Sequence, residues 1–227
     1  MEKILLATWH LFPGGDMRHI VLLGDSVLDN AAYVPAGHSV VEHVQRRLSA
    51  GDRVTLLAVD GAVVASVFDQ LVQIPEDATH LVLSVGGNNA LAIAGTTLST
   101  SCSTVREALA ALGQQIALFA ADYARLLSEL GRRRLPLTAC TIYDSVPGLD
   151  EAEKVGLSAI NGLILRLAFA AGVDLLDLRL LCQEPDDYAD CSPIEPSSQG
   201  GEKIASAIDR LTAGDAADVG VWCRVPR

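Results

Sequence analysis

The sequence predicts an α/β protein built as a three-layer α/β/α sandwich around a central parallel sheet of five strands. Three observations carry that expectation. Short runs rich in Val, Ile and Leu recur along the 227 residues, as expected of parallel strands covered on both faces. Stretches of helical periodicity alternate with them, which implies right-handed βαβ crossovers. Hydrophobic residues make up 50% of the chain, so it can bury one sizeable core and form a single domain.

The expected strands are Ile20–Leu23, Val54–Val59, Leu81–Val85, Leu137–Ile142 and Val173–Leu178. The first expected helix is Ser39–Ser49, in which Val40, Val44 and Leu48 fall on one face. Val63–Val72 follows the second strand, the long Ala/Leu-rich stretch Thr104–Leu130 the third, and Glu151–Ala171 the fourth. Ser198–Leu211 closes the order, with Ser197 or Ser198 as N-cap and Glu202 in the first turn. Residues 1–18 read as an N-terminal extension, 19–213 as the domain, and 214–227 as a peripheral tail. Met17 is as good a natural start as Met1.

Composition narrows the function classes. A formal net charge of −11 argues against nucleic-acid or anionic-membrane partners, which need clustered basic residues. The one basic run, Arg132-Arg133-Arg134, follows a helix, where cations offset the helix dipole. No apolar run reaches the ~18 residues of a membrane span, and the opening segment is a poor signal peptide, so a cytoplasmic location is expected. The five cysteines, Cys102, Cys140, Cys182, Cys191 and Cys223, lack C-x-x-C spacing and read as free thiols, Cys140 in the core. Asp186, Asp187 and Asp190 read as a solvated acidic loop rather than a metal site. Neither a dinucleotide glycine fingerprint nor a P-loop nor a Gly-x-Ser-x-Gly elbow is present, and no cofactor is implied.

What remains is a constellation at the strand ends. Gly24-Asp25-Ser26 follows the first strand, Asp60-Gly61-Ala62 the second, and Gly86-Gly87-Asn88-Asn89 the third. The carboxyl ends of parallel strands share one edge, where such folds place ligands. A hydroxyl, a glycine amide and a carboxamide are therefore expected to converge there, the equipment of acyl transfer. Each segment taken singly also reads as a plain turn.

In these segments the sequence resembles the SGNH (GDSL-type) hydrolase family, and the block order runs from about residue 19 to 211. The resemblance implies a flavodoxin-like sheet and assigns roles. Ser26 corresponds to the nucleophile. The amides of Ser26 and Gly61 and the Asn88 carboxamide correspond to the oxyanion hole. Asn89 stands where the family has aspartate. The fourth block, Asp-x-x-His-Pro in the family, departs further. Here it reads Ser192-Pro193-Ile194-Glu195-Pro196, with Glu195 at the histidine position and Ser192 at the aspartate position.

No histidine follows His80. His19 and His80 precede strands at the opposite edge, His43 lies along a helix, and His10 belongs to the extension. His38, in the loop after the nucleophile turn, is the one histidine expected near the site. Asp29, Asn30, Tyr143 and Asp144 are expected at the pocket or its turns. A glutamate of ordinary pKa, about 4.3, is a poor base for a serine hydroxyl, and burial is what raises it toward neutrality. The expected function is therefore a serine esterase or acyl hydrolase acting on a small ester or thioester, with Ser26 as nucleophile and Glu195 as base. The alternatives are a small-molecule-binding protein that kept the pocket without the chemistry, and an acyltransferase. Oligomeric state is not legible in the sequence.

Overall fold

The computed structural model describes residues 17–214. Five strands, β1 (His19–Gly24), β2 (Arg53–Leu56), β3 (His80–Ser84), β4 (Leu137–Cys140) and β5 (Asp174–Leu176), form one sheet. Its order is β2-β1-β3-β4-β5, and every pairing is parallel. This is the doubly wound order whose switch point lies between the first and third strands. All five strands fall where the sequence predicts them. β2 is shorter than expected because the Leu57 and Ala58 amides both donate to the Leu22 carbonyl, which breaks the regular ladder.

Alternating residues of the central strands feed two cores. Val21 and Leu23 of β1, with Leu81 and Leu83 of β3, face α2 (Val67–Leu71), α4 (Val105–Gly131) and α5 (Glu151–Ala171). Ile20 and Leu22 face the other way, toward α1 (Val40–Arg47) and α6 (Ser198–Ala213). Both cores are closed, so β1 is buried along its whole length. The predicted three-layer sandwich is therefore the observed architecture.

Helix ends follow local chemistry. Ser197 caps α6 by accepting from the Gln199 and Gly200 amides, and Asp150 with Glu153 forms a capping box at the start of α5. α5 spans 21 residues and is long and apolar enough to cross a membrane by composition alone, contrary to the expectation that no such run exists. Its Leu157, Ile160 and Ile164 are buried against the sheet and α4. Two elements were not predicted: the short helix α3 (Gly87–Ile93) and the hairpin of β6 (Tyr188–Ala189) and β7 (Ser192–Pro196). Cys102, Cys140, Cys182 and Cys191 are all free thiols, and Cys140 is buried as expected. His10 and Cys223 lie outside the described residues.

The acidic loop is not uniformly solvated. Asp187 is fully buried and pairs with Lys203 of α6 at 2.6 Å, while accepting from Gln199 Nε2 at 3.0 Å. The loop is folded onto α6 because a close approach is available at Gly200, where a Cβ would sit 2.2 Å from the Asp187 carbonyl oxygen.

Candidate active site

Ser26 is held at the carboxyl edge of the sheet by a turn that only glycine can make. Gly24 has φ of +125°, and a Cβ there would lie 1.8 Å from the Ser84 carbonyl oxygen. The Asp25 amide donates to that same oxygen at 2.9 Å, fastening the turn to β3. Behind it the buried side chain of Gln70 bonds both backbone groups of Gly24, each at 2.8 Å. The Gln70 clamp was not legible in advance, since a glutamine in a helical stretch carries no positional mark.

The loop after Ser26 joins the other segments. The Asp29 carboxylate accepts from the Asp60 amide at 3.0 Å, and Asp60 accepts from the Tyr33 hydroxyl at 2.7 Å. Asn30, completely buried, donates to the Pro196 carbonyl at 3.0 Å and accepts from the Val40 amide at 2.8 Å. One side chain thus ties the serine loop to the residue after Glu195. Asn88 donates from Nδ2 to the Ala62 carbonyl at 3.0 Å, and Asn89 accepts from the Val64 amide at 3.1 Å.

Ser26, Asn88 and Glu195 line one cavity, which encloses about 790 Å³ of space with its open mouth included. Gly61 is not among the lining residues; it is exposed next to Ala62, the residue bonded by Asn88. Among the described residues, no acceptor is bonded to the Ser26 amide, the Gly61 amide or the second hydrogen of Asn88 Nδ2. Among the described residues, three carboxyl side chains (Asp25, Glu153 and Glu195) line the cavity, and no lysine, arginine or histidine does.

Glu195 is 4% exposed. Burial pushes its carboxyl up to about 7, against the lowering effect of the Ser26 hydroxyl hydrogen bond, and the Asp60 charge adds to the rise. Its Oε2 is buried with no partner. Asp25 is also pushed up to about 7 by burial. The Val27 amide opposes the rise, the Glu195 charge adds to it, and the Gly86 and Gly87 amides lower it. Two carboxyls near neutrality thus flank one serine, with no described lysine, arginine or histidine in the cavity lining.

Tyr143 lines the cavity and its hydroxyl donates to the Ile194 carbonyl, whereas Asp144 does not reach the lining. None of the four described histidines lines it either. His38 bonds the Ser198 hydroxyl at 2.7 Å, away from Ser26, and His43 pairs with Glu202 at 2.6 Å. His19 bonds Thr55 at 2.7 Å at the opposite edge of the sheet.

No family model matches the sequence, and no curated protein matches it. Solved structures do match in shape. An extracellular lipase from Streptomyces rimosus superposes with TM-score 0.62 at 16% identity, over 86% of this chain and 99% of the lipase. A member of the lipolytic protein G-D-S-L family from Veillonella parvula gives 0.62 at 14%, over 88% and 99%. A carbohydrate acetylesterase from Sinorhizobium meliloti gives 0.64 at 10%, over 87% and 99%. The strand order, the loops that carry Ser26 and Asn88, and these superpositions together identify the chain's architecture as the SGNH-type (GDSL) hydrolase fold.

Proposed function

We propose that the protein is a serine ester hydrolase that works through an acyl-serine intermediate, with a glutamate in place of the usual imidazole base. Ser26 Oγ attacks the ester carbonyl carbon while Glu195 accepts the hydroxyl proton. The resulting oxyanion is held by the amides of Ser26 and Gly61 and by Asn88 Nδ2. Collapse expels the alcohol, which leaves with the proton that Glu195 returns to it. Glu195 then takes a proton from a water molecule as it attacks the acyl carbon, and collapse breaks the acyl bond to Ser26 as Glu195 returns that proton to Oγ, releasing the carboxylic acid.

The observation that carries this reading is that Ser26 lines one cavity with the buried carboxyl of Glu195, which is raised to about 7. A base is most useful when its pKa lies near the working pH, and a well-placed one is worth ~10²–10⁴-fold. The fold likeness to a lipase and an acetylesterase points the same way. Four free cysteines suit a reducing compartment, which supports a cytoplasmic location. Treatment with a fluorophosphonate probe is expected to give one mass adduct, on Ser26, and to abolish hydrolysis of p-nitrophenyl esters. An unlabelled Ser26 across the neutral pH range overturns the proposal.

A second reading has its own observation. Glu195 Oε2 is buried without a partner, as in a site whose donor arrives with a ligand that is held rather than cleaved. Thermal stabilisation by a ligand recovered intact supports that reading. Ester turnover that disappears in Ser26→Ala excludes it.

A further inference from the structure

We propose that the cavity beside Ser26 is a pocket for a straight aliphatic acyl chain, and that Gly156 sets how long a chain it accepts. This rests on the serine-hydrolase reading of the site. Away from Ser26, Asn88 and Glu195 the wall is hydrocarbon: Ile93 of α3, Leu98 beyond it, Leu112 of α4, Leu149, and Leu157 and Ile160 of α5. Two polar side chains in that part of the wall make hydrogen bonds. The Tyr143 hydroxyl donates to the Ile194 carbonyl, and Glu153 accepts from the Asp150 amide at 2.9 Å within the helix cap. Sugar hydroxyls find few partners there, so burying a polyol would cost desolvation with little return.

Gly156 is the telling position. It lies inside α5, buried and in the cavity wall. Helix propensity disfavours glycine there relative to alanine. Packing does not demand it, because an added Cβ would meet no atom within 4 Å. The missing side chain leaves a slot in the wall that no described residue fills, and an occupying ligand gives that slot a purpose.

The chain lodged in it belongs to the acyl rather than the alcohol half of the ester. After the first step the alcohol must leave and water must reach Glu195, so the leaving side faces the solvent. The exposed Tyr33–Asp60 pair lies on that side, and the Asp60 charge acts on Glu195. The acyl group stays on Ser26 through the intermediate and takes the hydrocarbon side.

The test compares p-nitrophenyl esters from acetyl through butyryl, hexanoyl and octanoyl to decanoyl in the wild type, Gly156→Ala and Gly156→Leu. Wild-type kcat/KM is expected to rise about fourfold per methylene until the pocket is full. The octanoyl-to-acetyl ratio is expected to fall in Gly156→Ala and to fall further, by at least tenfold, in Gly156→Leu. Gly156→Ala, which strengthens the helix, keeps the test alive if the leucine variant does not fold. A wild type that prefers acetyl overturns the proposal, as does a ratio unmoved by alanine, or a gain with length seen only in alkyl acetates.

Calorimetry separates the pocket from the chemistry. Octanamide is expected to bind Ser26→Ala more tightly than butyramide does, with a negative heat-capacity change. That preference is expected to weaken when Gly156→Leu is added. If no ester is hydrolysed yet octanamide behaves in this way, the hydrolase reading falls and the pocket stands. If esters are cleaved but binding ignores chain length, the pocket falls and the hydrolase reading stands.

Discussion

Asn88 Nδ2 donates to the Ala62 carbonyl at 3.0 Å, so the carboxamide is oriented by the loop that carries Gly61. One hydrogen of the NH2 group is spent on positioning and the other is left for a ligand oxygen. The same bond fixes two proposed oxyanion donors relative to each other. Preorganised donors act without reorganisation at the moment of reaction, which is why they count for more than ordinary hydrogen bonds.

Asn88→Ala is therefore expected to lower kcat by about 10²–10³ with a small change in KM, because the lost bond strengthens only in the transition state. It also strands the Ala62 carbonyl, at a stability cost on the order of 1 kcal/mol. Steady-state kinetics with urea unfolding of the same sample separates the two effects. A kcat within a few-fold of wild type removes Asn88 from the oxyanion hole.

The sheet was legible because each strand is a short Val/Ile/Leu run bounded by turn residues, and parallel strands need no partner pattern. α3 was not, because its sequence Gly87-Asn88-Asn89 reads as a turn and none of its residues is buried. The β6–β7 hairpin was missed for a related reason. It is short, irregular and holds three prolines or acids in five residues of β7, so its pairing depends on packing against α6. In the site, Ser26, Asn88 and Glu195 were expected from the resemblance of their segments to the family's blocks, and the structure brings the three to one cavity. Asn30 and Gln70 were not given their roles, because bonds spanning 166 and 46 residues leave no local trace. The raised pKa of Asp25 was also illegible, since it follows from burial of its side chain and from the Glu195 charge beside it.

Among the described residues, Lys203 is the only charged partner that holds Asp187 inside the loop leading to the β6–β7 hairpin. Removing one member of a buried pair leaves an uncompensated charge, which costs about 3–5 kcal/mol. Gln199 Nε2 and the Glu184 amide still serve Asp187, so the lower end of that range applies. Lys203→Ala is expected to lower the urea midpoint accordingly. It is also expected to reduce kcat, because Asp187 accepts from the Ser197 amide two residues after Glu195 and a small misplacement costs catalysis. An unchanged urea midpoint removes the ion pair from the account of how Glu195 is held.

Glu195 and Asp25 set opposite pH demands on activity and stability. Catalysis needs Glu195 ionised, so kcat/KM is expected to rise with pH up to about 7 and to fall about tenfold per unit below it. Stability runs the other way. Both carboxyls bind protons more tightly folded than unfolded, so their favourable contribution is complete below about pH 4 and is lost as pH rises through about 7. Glu195→Gln has no such ionisation to make. It is expected to lose about 10²–10⁴ in kcat while raising Tm above wild type at about pH 8, a gap that closes toward about pH 5. The neutral neighbour also relieves Asp25, whose carboxyl is expected to titrate lower in the variant by carbon NMR. A Tm difference independent of pH removes the buried charge from the explanation, and a Glu195→Gln enzyme of full activity leaves Ser26 without its proposed base.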